Sequence, residues 1–121
     1  MIDYGYTEGH ADTFQGLKHH RYTDPLLEPG ETDLTAHVDF SALRKAAEST
    51  GAKVFGAATQ GDFLQRVGIQ LRAGILCSKA TPEQQERILS GLARLTQPDS
   101  MGTLFKCLAI LPTDSPQPYG F

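Results

Sequence analysis

The run Leu104-Phe105-Lys106-Cys107-Leu108-Ala109-Ile110-Leu111 constrains this chain more than any other feature. It is apolar at every position except Lys106, and Pro112 closes it. A strand sends successive side chains to opposite faces, so an apolar strand without alternation needs protein on both faces. The run is far short of the ~20 residues that a membrane helix requires. It reads as a strand inside an α/β sheet, and such a strand needs neighbours. Two candidates exist. Lys53 to Ala58 centres on Val54 and Phe55, and Ile2-Asp3-Tyr4 ahead of Gly5 reads as the last residues of a strand before a turn. Three strands make a poor free-standing sheet with two covered faces, so the pattern points to sheet partners outside these residues.

The organisation expected along the chain is a strand end over 1–5, a long loop over 6–38, a helix–strand unit over 39–58, a helical insertion over 62–97, a last strand over 103–112 and a tail over 113–121. Asp39 is a good N-cap, since its carboxylate can accept the orphan N–H groups of a first turn. Phe40, Leu43 and Ala47 follow on one face. A second helix over 62–77 carries Leu64, Val67, Leu71 and Ile75 on one stripe. A third opens on Thr81, with Pro82 at its first position and Gln84 completing a capping box, and shows Ile88, Leu89, Leu92 and Leu95 as its apolar face. Inside the loop, Thr13 to Leu17 reads as one turn of helix. The tail, with Pro116, Pro118 and Gly120, reads as loosely ordered.

Composition excludes several function classes. The 121 residues are 40% hydrophobic and carry a net charge of -3, too apolar and too weakly charged for wholesale disorder. The 11 Lys and Arg form no basic run, so no nucleic-acid partner is expected. No membrane association is expected either, and Met1 to Gly5 resembles neither a signal nor a transit peptide, which fits a cytoplasmic protein. Cys77 and Cys107 lack ligand-like spacing and read as reduced thiols. The 12 glycines include no dinucleotide or phosphate loop, so no cradle for such a ligand is expected from these residues.

Two segments concentrate chemistry. Asp3 and Tyr4 stand at the carboxyl end of a strand, where open α/β sheets bind ligands; a capping carboxylate and a packed phenol are the plainer alternative. In Asp33-Leu34-Thr35-Ala36-His37-Val38-Asp39-Phe40, an extended backbone would project Asp33, Thr35, His37 and Asp39 to one side. A carboxylate near a His is acid–base hardware, while a half-buried strand with a polar face accounts for the same pattern. His10, His19, His20 and His37 with the neighbouring aspartates match no metal-ligand spacing, and no metal site is expected.

Many of these residues recur together. Asp3-Tyr4-Gly5, Asp12-Thr13-Phe14-Gln15-Gly16, His20-Arg21, Asp24-Pro25-Leu26, Pro29-Gly30, the Asp33–Phe40 segment, Thr59-Gln60-Gly61-Asp62-Phe63-Leu64, Gly68-Ile69 and Met101-Gly102-Thr103-Leu104-Phe105-Lys106 resemble, in this order, the MidA-type family. That family comprises class I S-adenosylmethionine-dependent methyltransferases, including bacterial proteins and the mitochondrial arginine methyltransferase that assists respiratory complex I assembly. The resemblance covers nearly the whole chain. It implies the C-terminal third of a class I methyltransferase Rossmann-like α/β sheet. Residues 1–4 would end the fifth strand, 53–58 form the sixth and 104–111 the seventh, with the seventh antiparallel between the other two and a helical insertion between the sixth and seventh. The family's cofactor loop and its ribose-binding acidic residue lie upstream of anything in this sequence. Tyr6 departs from the pattern, where the family often has His.

The resemblance implies a protein arginine methyltransferase as the leading function. Asp3, Asp33 and Asp39 are the carboxylate candidates for the substrate cleft, and Tyr4 and His37 the orienting groups. S-adenosyl-L-methionine is the implied cofactor, expected not to bind this chain alone. The implied partner is a protein substrate, with a respiratory complex I subunit as one candidate, and the setting is the bacterial cytoplasm, or the mitochondrial matrix for a eukaryotic homologue. The alternative is a non-catalytic interaction or assembly module derived from a methyltransferase, self-associating through an exposed sheet edge.

Overall fold

A computed structural model of the chain describes residues 1–9 and 12–121. In chain order its elements are β1 (Ile2–Tyr6), β2 (Gln15–Lys18), β3 (Arg21–Thr23), β4 (Asp33–Thr35), β5 (Val38–Asp39), α1 (Phe40–Ser49), β6 (Lys53–Thr59), α2 (Gln60–Arg66), α3 (Ile69–Cys77), α4 (Pro82–Thr96), α5 (Met101–Leu104) and β7 (Phe105–Leu111).

The apolar run at the chain's end forms β7, which lies between β1 and β6 in a four-stranded sheet ordered β5-β1-β7-β6. It is antiparallel to both neighbours, with Ile2 opposite Cys107 on one side and Lys53 opposite Leu111 on the other. This is the strand order the family resemblance implies for the fifth, seventh and sixth strands. Cys107 and Leu108 are 0% and 1% exposed. Neighbouring residues of a strand point to opposite faces, so both faces of β7 are covered at its centre. Cover thins away from that centre: Ile2 of β1 is 50% exposed and Ile110, near the end of β7, 43%. The run's first residue, Leu104, belongs to the short helix α5 rather than to the strand.

Helix α1 starts where Asp39 caps it. The Asp39 carboxylate accepts from the Ser41 and Ala42 N–H groups and the Ser41 hydroxyl, at 2.8 to 2.9 Å. Phe40, the first helical residue, is 1% exposed and packs at Gly5. A Cβ on Gly5 would stand 2.2 Å from the Val38 carbonyl oxygen and 2.9 Å from the Phe40 ring. Gly5 therefore lets β5 and the start of α1 close onto β1, where Gly5 pairs with Val38 and Tyr6 with Asp39 in parallel register.

Four expectations change. The helix expected over 62–77 breaks into α2 and α3 because Gly68 takes a left-handed conformation (φ 86°). Its presumed core stripe fails with it: Val67, Leu71 and Ile75 face solvent, Leu71 at 72%, while Ile69, Ala73 and Leu76 turn toward α4. The capping box of α4 forms, with the Thr81 N–H donating to Gln84 Oε1 at 2.9 Å, but Leu89 is exposed. The loop expected over 6–38 holds a three-stranded antiparallel sheet ordered β3-β2-β4, so Gln15–Lys18 is a strand and not a helical turn. His19 and His20 join β2 to β3, both with positive φ as a tight two-residue hairpin requires. The tail is docked: Lys53 Nζ donates to the Ser115 carbonyl at 3.1 Å, and the Phe121 ring lies 5.1 Å from that of Phe63.

Gly5→Ala should lower stability by about 1–3 kcal/mol, as overpacking does. Gly74→Ala in α3, where an added Cβ meets nothing within 4 Å, should raise it by about 0.5–1 kcal/mol. Urea unfolding of both variants checks the pair, and equal effects would contradict the packing described.

Candidate functional site

The carboxyl half of β1 gathers an aromatic cluster. The Tyr4 ring lies edge-on to His37 at 5.5 Å between centroids and edge-on to Phe105 at 5.6 Å. Pairing of β5 with β1 brings the His37 segment there, and pairing of β7 with β1 brings Phe105. The His37 N–H donates to Thr13 Oγ1 at 3.0 Å, which ties the backbone beside β5 to the chain ahead of β2. The Tyr4 hydroxyl and both His37 ring nitrogens make no hydrogen bond with the described residues. Among the described residues no partnerless polar side-chain atom is sealed from water, so these three remain reachable by a ligand.

The carboxylates do not join this pair. Asp3 precedes Tyr4 on the strand and so points to the opposite face; its Oδ1 accepts from the Tyr4 N–H at 2.9 Å. Asp33 lies in β4 on the small sheet, opposite Leu17, and is exposed. Asp39 is engaged as the helix cap. The extended alternation expected from Asp33 to Asp39 is interrupted after Thr35, since β4 and β5 belong to different sheets. Of the five candidates, Tyr4 and His37 meet in a ring contact.

The histidines form no metal site among the described residues. His19 and His20 are spent on a hairpin turn, and His10 lies outside the described residues. The glycine at the strand end, Gly5, makes room for Val38 and Phe40 rather than for a ligand. Burial pushes the Cys107 thiol up, opposed in part by the N-terminal ammonium. The thiol is therefore protonated at neutral pH and unsuited to nucleophilic work.

Sequence reasoning missed the recesses of the fold. A cavity of about 290 Å³ past the end of β1 is lined by Thr7, Phe40, Ser41, Arg44 and Ala57. The seam between α3 and α4 carries Arg72, Lys79 and Arg87 around an apolar floor. Local patterns do not mark either one, because each is built from segments that meet only in the fold.

Comparison with known proteins follows the same lines. Residues 1–58 match a family described as "Putative S-adenosyl-L-methionine-dependent methyltransferase". The Drosophila melanogaster "Protein arginine methyltransferase NDUFAF7 homolog, mitochondrial" is 47% identical over 113 residues, covering 93% of this chain and 26% of the relative. The human protein arginine methyltransferase NDUFAF7, mitochondrial, is 40% identical over 113 residues, covering 93% of this chain and 25% of the relative. Two crystal structures from Burkholderia thailandensis, both of one superfamily, match at 29% identity. One gives a TM-score of 0.81 and covers 95% of this chain and 33% of the other. The second, bound to S-adenosyl-homocysteine, gives 0.76 with 95% and 32% covered. The chain thus spans about a quarter of the length of these curated relatives.

Asp39→Ala should cost about 1 kcal/mol through loss of the cap, whereas Asp33→Ala should stay within about 0.5 kcal/mol; thermal unfolding of both checks the assignment. At pH 8 a thiol reagent should titrate Cys77 promptly and Cys107 only as the chain unfolds. Prompt reaction of both would contradict the burial of β7.

Proposed function

We propose that this chain, which over the stretch it spans belongs to the family of S-adenosyl-L-methionine-dependent methyltransferases, forms the acceptor side of a protein arginine methyltransferase whose cofactor side lies outside these residues. The uncovered surface carries this reading. The chain exposes 8449 Å², whereas a compact protein of 13.2 kDa exposes roughly 6,400 Å², an excess of about 2,000 Å². Part of the excess is apolar and lies along β1 and β7, at Met1, Ile2 and Ile110. Beyond Gly5 and Tyr6, β1 has no described partner on its outer edge. Further strands of the same sheet would cover both.

The family's reaction uses S-adenosyl-L-methionine, which supplies the methyl group. This chain's contribution is to receive and orient the acceptor. Tyr4 and His37 are the groups for that task, with a phenol and an imidazole side by side and their polar atoms open. Asp3, on the other face, and Asp39, engaged as a cap, are left out of the acceptor site, as is exposed Asp33. A protein substrate and a mitochondrial setting are proposed on the strength of the relatives' names; a respiratory complex I subunit is the acceptor that the family resemblance implies. The open β1 edge also supports a second reading, self-association of this chain as an assembly module. Sedimentation distinguishes the two, since a monomer at all concentrations excludes the second.

Co-expression with the complementary part of the Drosophila relative tests the first. The reconstituted enzyme should methylate arginine in a protein substrate, and His37→Gln should lower kcat by about 10²-fold, with Asp33→Ala unchanged. A His37→Gln enzyme of full activity would contradict the role given to the Tyr4–His37 pair.

A further inference from the structure

Helix α3 has no single apolar face: Ile69, Leu71, Ala73, Ile75, Leu76 and Cys77 are spread around its nine residues, with Gln70 and Arg72 among them. One side lies along α4, and two recesses of about 230 and 450 Å³ run along the seam, sharing Leu76, Arg87 and Ile88. Ala73, Leu76, Ile88 and Leu92 make an apolar floor. Arg72, Lys79 and Arg87 stand among the lining residues, and no carboxylate lines either recess. These three cations form no ion pair or side-chain hydrogen bond with the described residues. Glu83, one turn before Arg87 on α4, is not paired with it. The surrounding stretch, residues 63–82, holds Arg66, Arg72 and Lys79 and no Asp or Glu, in a chain whose net charge is -3.

We propose that the α3–α4 seam is a docking groove for an acidic amphipathic helix of a partner polypeptide. Its apolar row would fill the floor, and its flanking carboxylates would pair with Arg72, Lys79 and Arg87. Unpaired cations beside an apolar floor favour an anionic, partly apolar ligand, because charge-assisted hydrogen bonds add to burial. A second copy of this chain fits poorly: a two-fold contact through the seam would set the same three cations against their equivalents. A lipid surface fits poorly too. An interfacial helix keeps its apolar and charged faces apart, whereas the apolar residues of α3 are spread around it and Arg72, Lys79 and Arg87 border a concave seam. The inference needs only α3 and α4, so it stands or falls independently of the methyltransferase reading.

The probe is a fluorescein-labelled 16-residue helical peptide, with Leu at i, i+3, i+4 and i+7 repeats and Glu on the flanks, compared with its Lys-for-Glu twin by anisotropy. The acidic peptide should bind at least tenfold more tightly than the twin. R72E/R87E should weaken it tenfold or more, while R72K/R87K stays within threefold of the parent. In the unaltered chain the peptide should shift the amide resonances of Leu76, Ile88 and Leu92, which keeps the test independent of how well the variants fold. Equal affinity for the two peptides, or shifts confined elsewhere, would overturn the proposal. So would binding to phosphatidylserine vesicles in place of the peptide, dimerisation through the seam that the peptide does not compete with, or loss of peptide binding on reconstitution with the complementary part of a relative.

Discussion

Everything in this chain hangs on the antiparallel pairing of β7 with both β1 and β6. The residues it joins lie at opposite ends of the sequence. The Met1 ammonium donates to the Leu108 carbonyl at 2.8 Å, and the Leu108 N–H donates to the Met1 carbonyl at 2.9 Å. Burial of Cys107 and Leu108 on opposite faces favours that pairing strongly, because exposing them would return apolar surface to water. Once β7 is seated, β1 is fixed, and with it the register that lets β5 close over Gly5 and bring His37 to Tyr4. The same pairing sets Phe105 against Tyr4 from the other side. Site geometry and core formation are therefore one event in this fold.

How much of this the sequence disclosed follows from the range of the interactions. Helix α4 was legible because its capping box spans three residues, and the start of α1 because the Asp39 cap spans two. Strand β7 was legible from unbroken apolarity, its neighbours from Val54 and Phe55 and from Ile2 to Tyr4 ahead of Gly5, and their order from the resemblance to a family of known sheet order. The small sheet was not, since strands of three or four residues carry no period and its hairpin turn is built from His19 and His20 instead of the usual glycine or asparagine. The Val67–Leu71–Ile75 stripe misled because helical spacing reads straight through Gly68, while the left-handed turn there gives the two halves different faces. The docked tail depends on contacts of Phe121 with Phe63 that no local pattern records.

The candidate site divides the same way. Tyr4 and His37 are separated by 33 positions in the numbering and meet only through the β1–β5 pairing, yet both were legible as residue types in a suitable setting. Their companions were mis-grouped for a reason visible in strand geometry: Asp3 and Tyr4 are neighbours on one strand and cannot share a face. Asp39 went to the helix, the plainer of its two readings. The seam cations escaped notice because they come from two helices and a connecting turn.

As proposed above, these residues make the acceptor side and leave the cofactor to residues outside them. Isothermal titration of S-adenosyl-L-methionine into the 121-residue chain tests it most directly. No saturable heat is the predicted result. Binding with a micromolar Kd would show that the chain holds the cofactor by itself and would contradict the account.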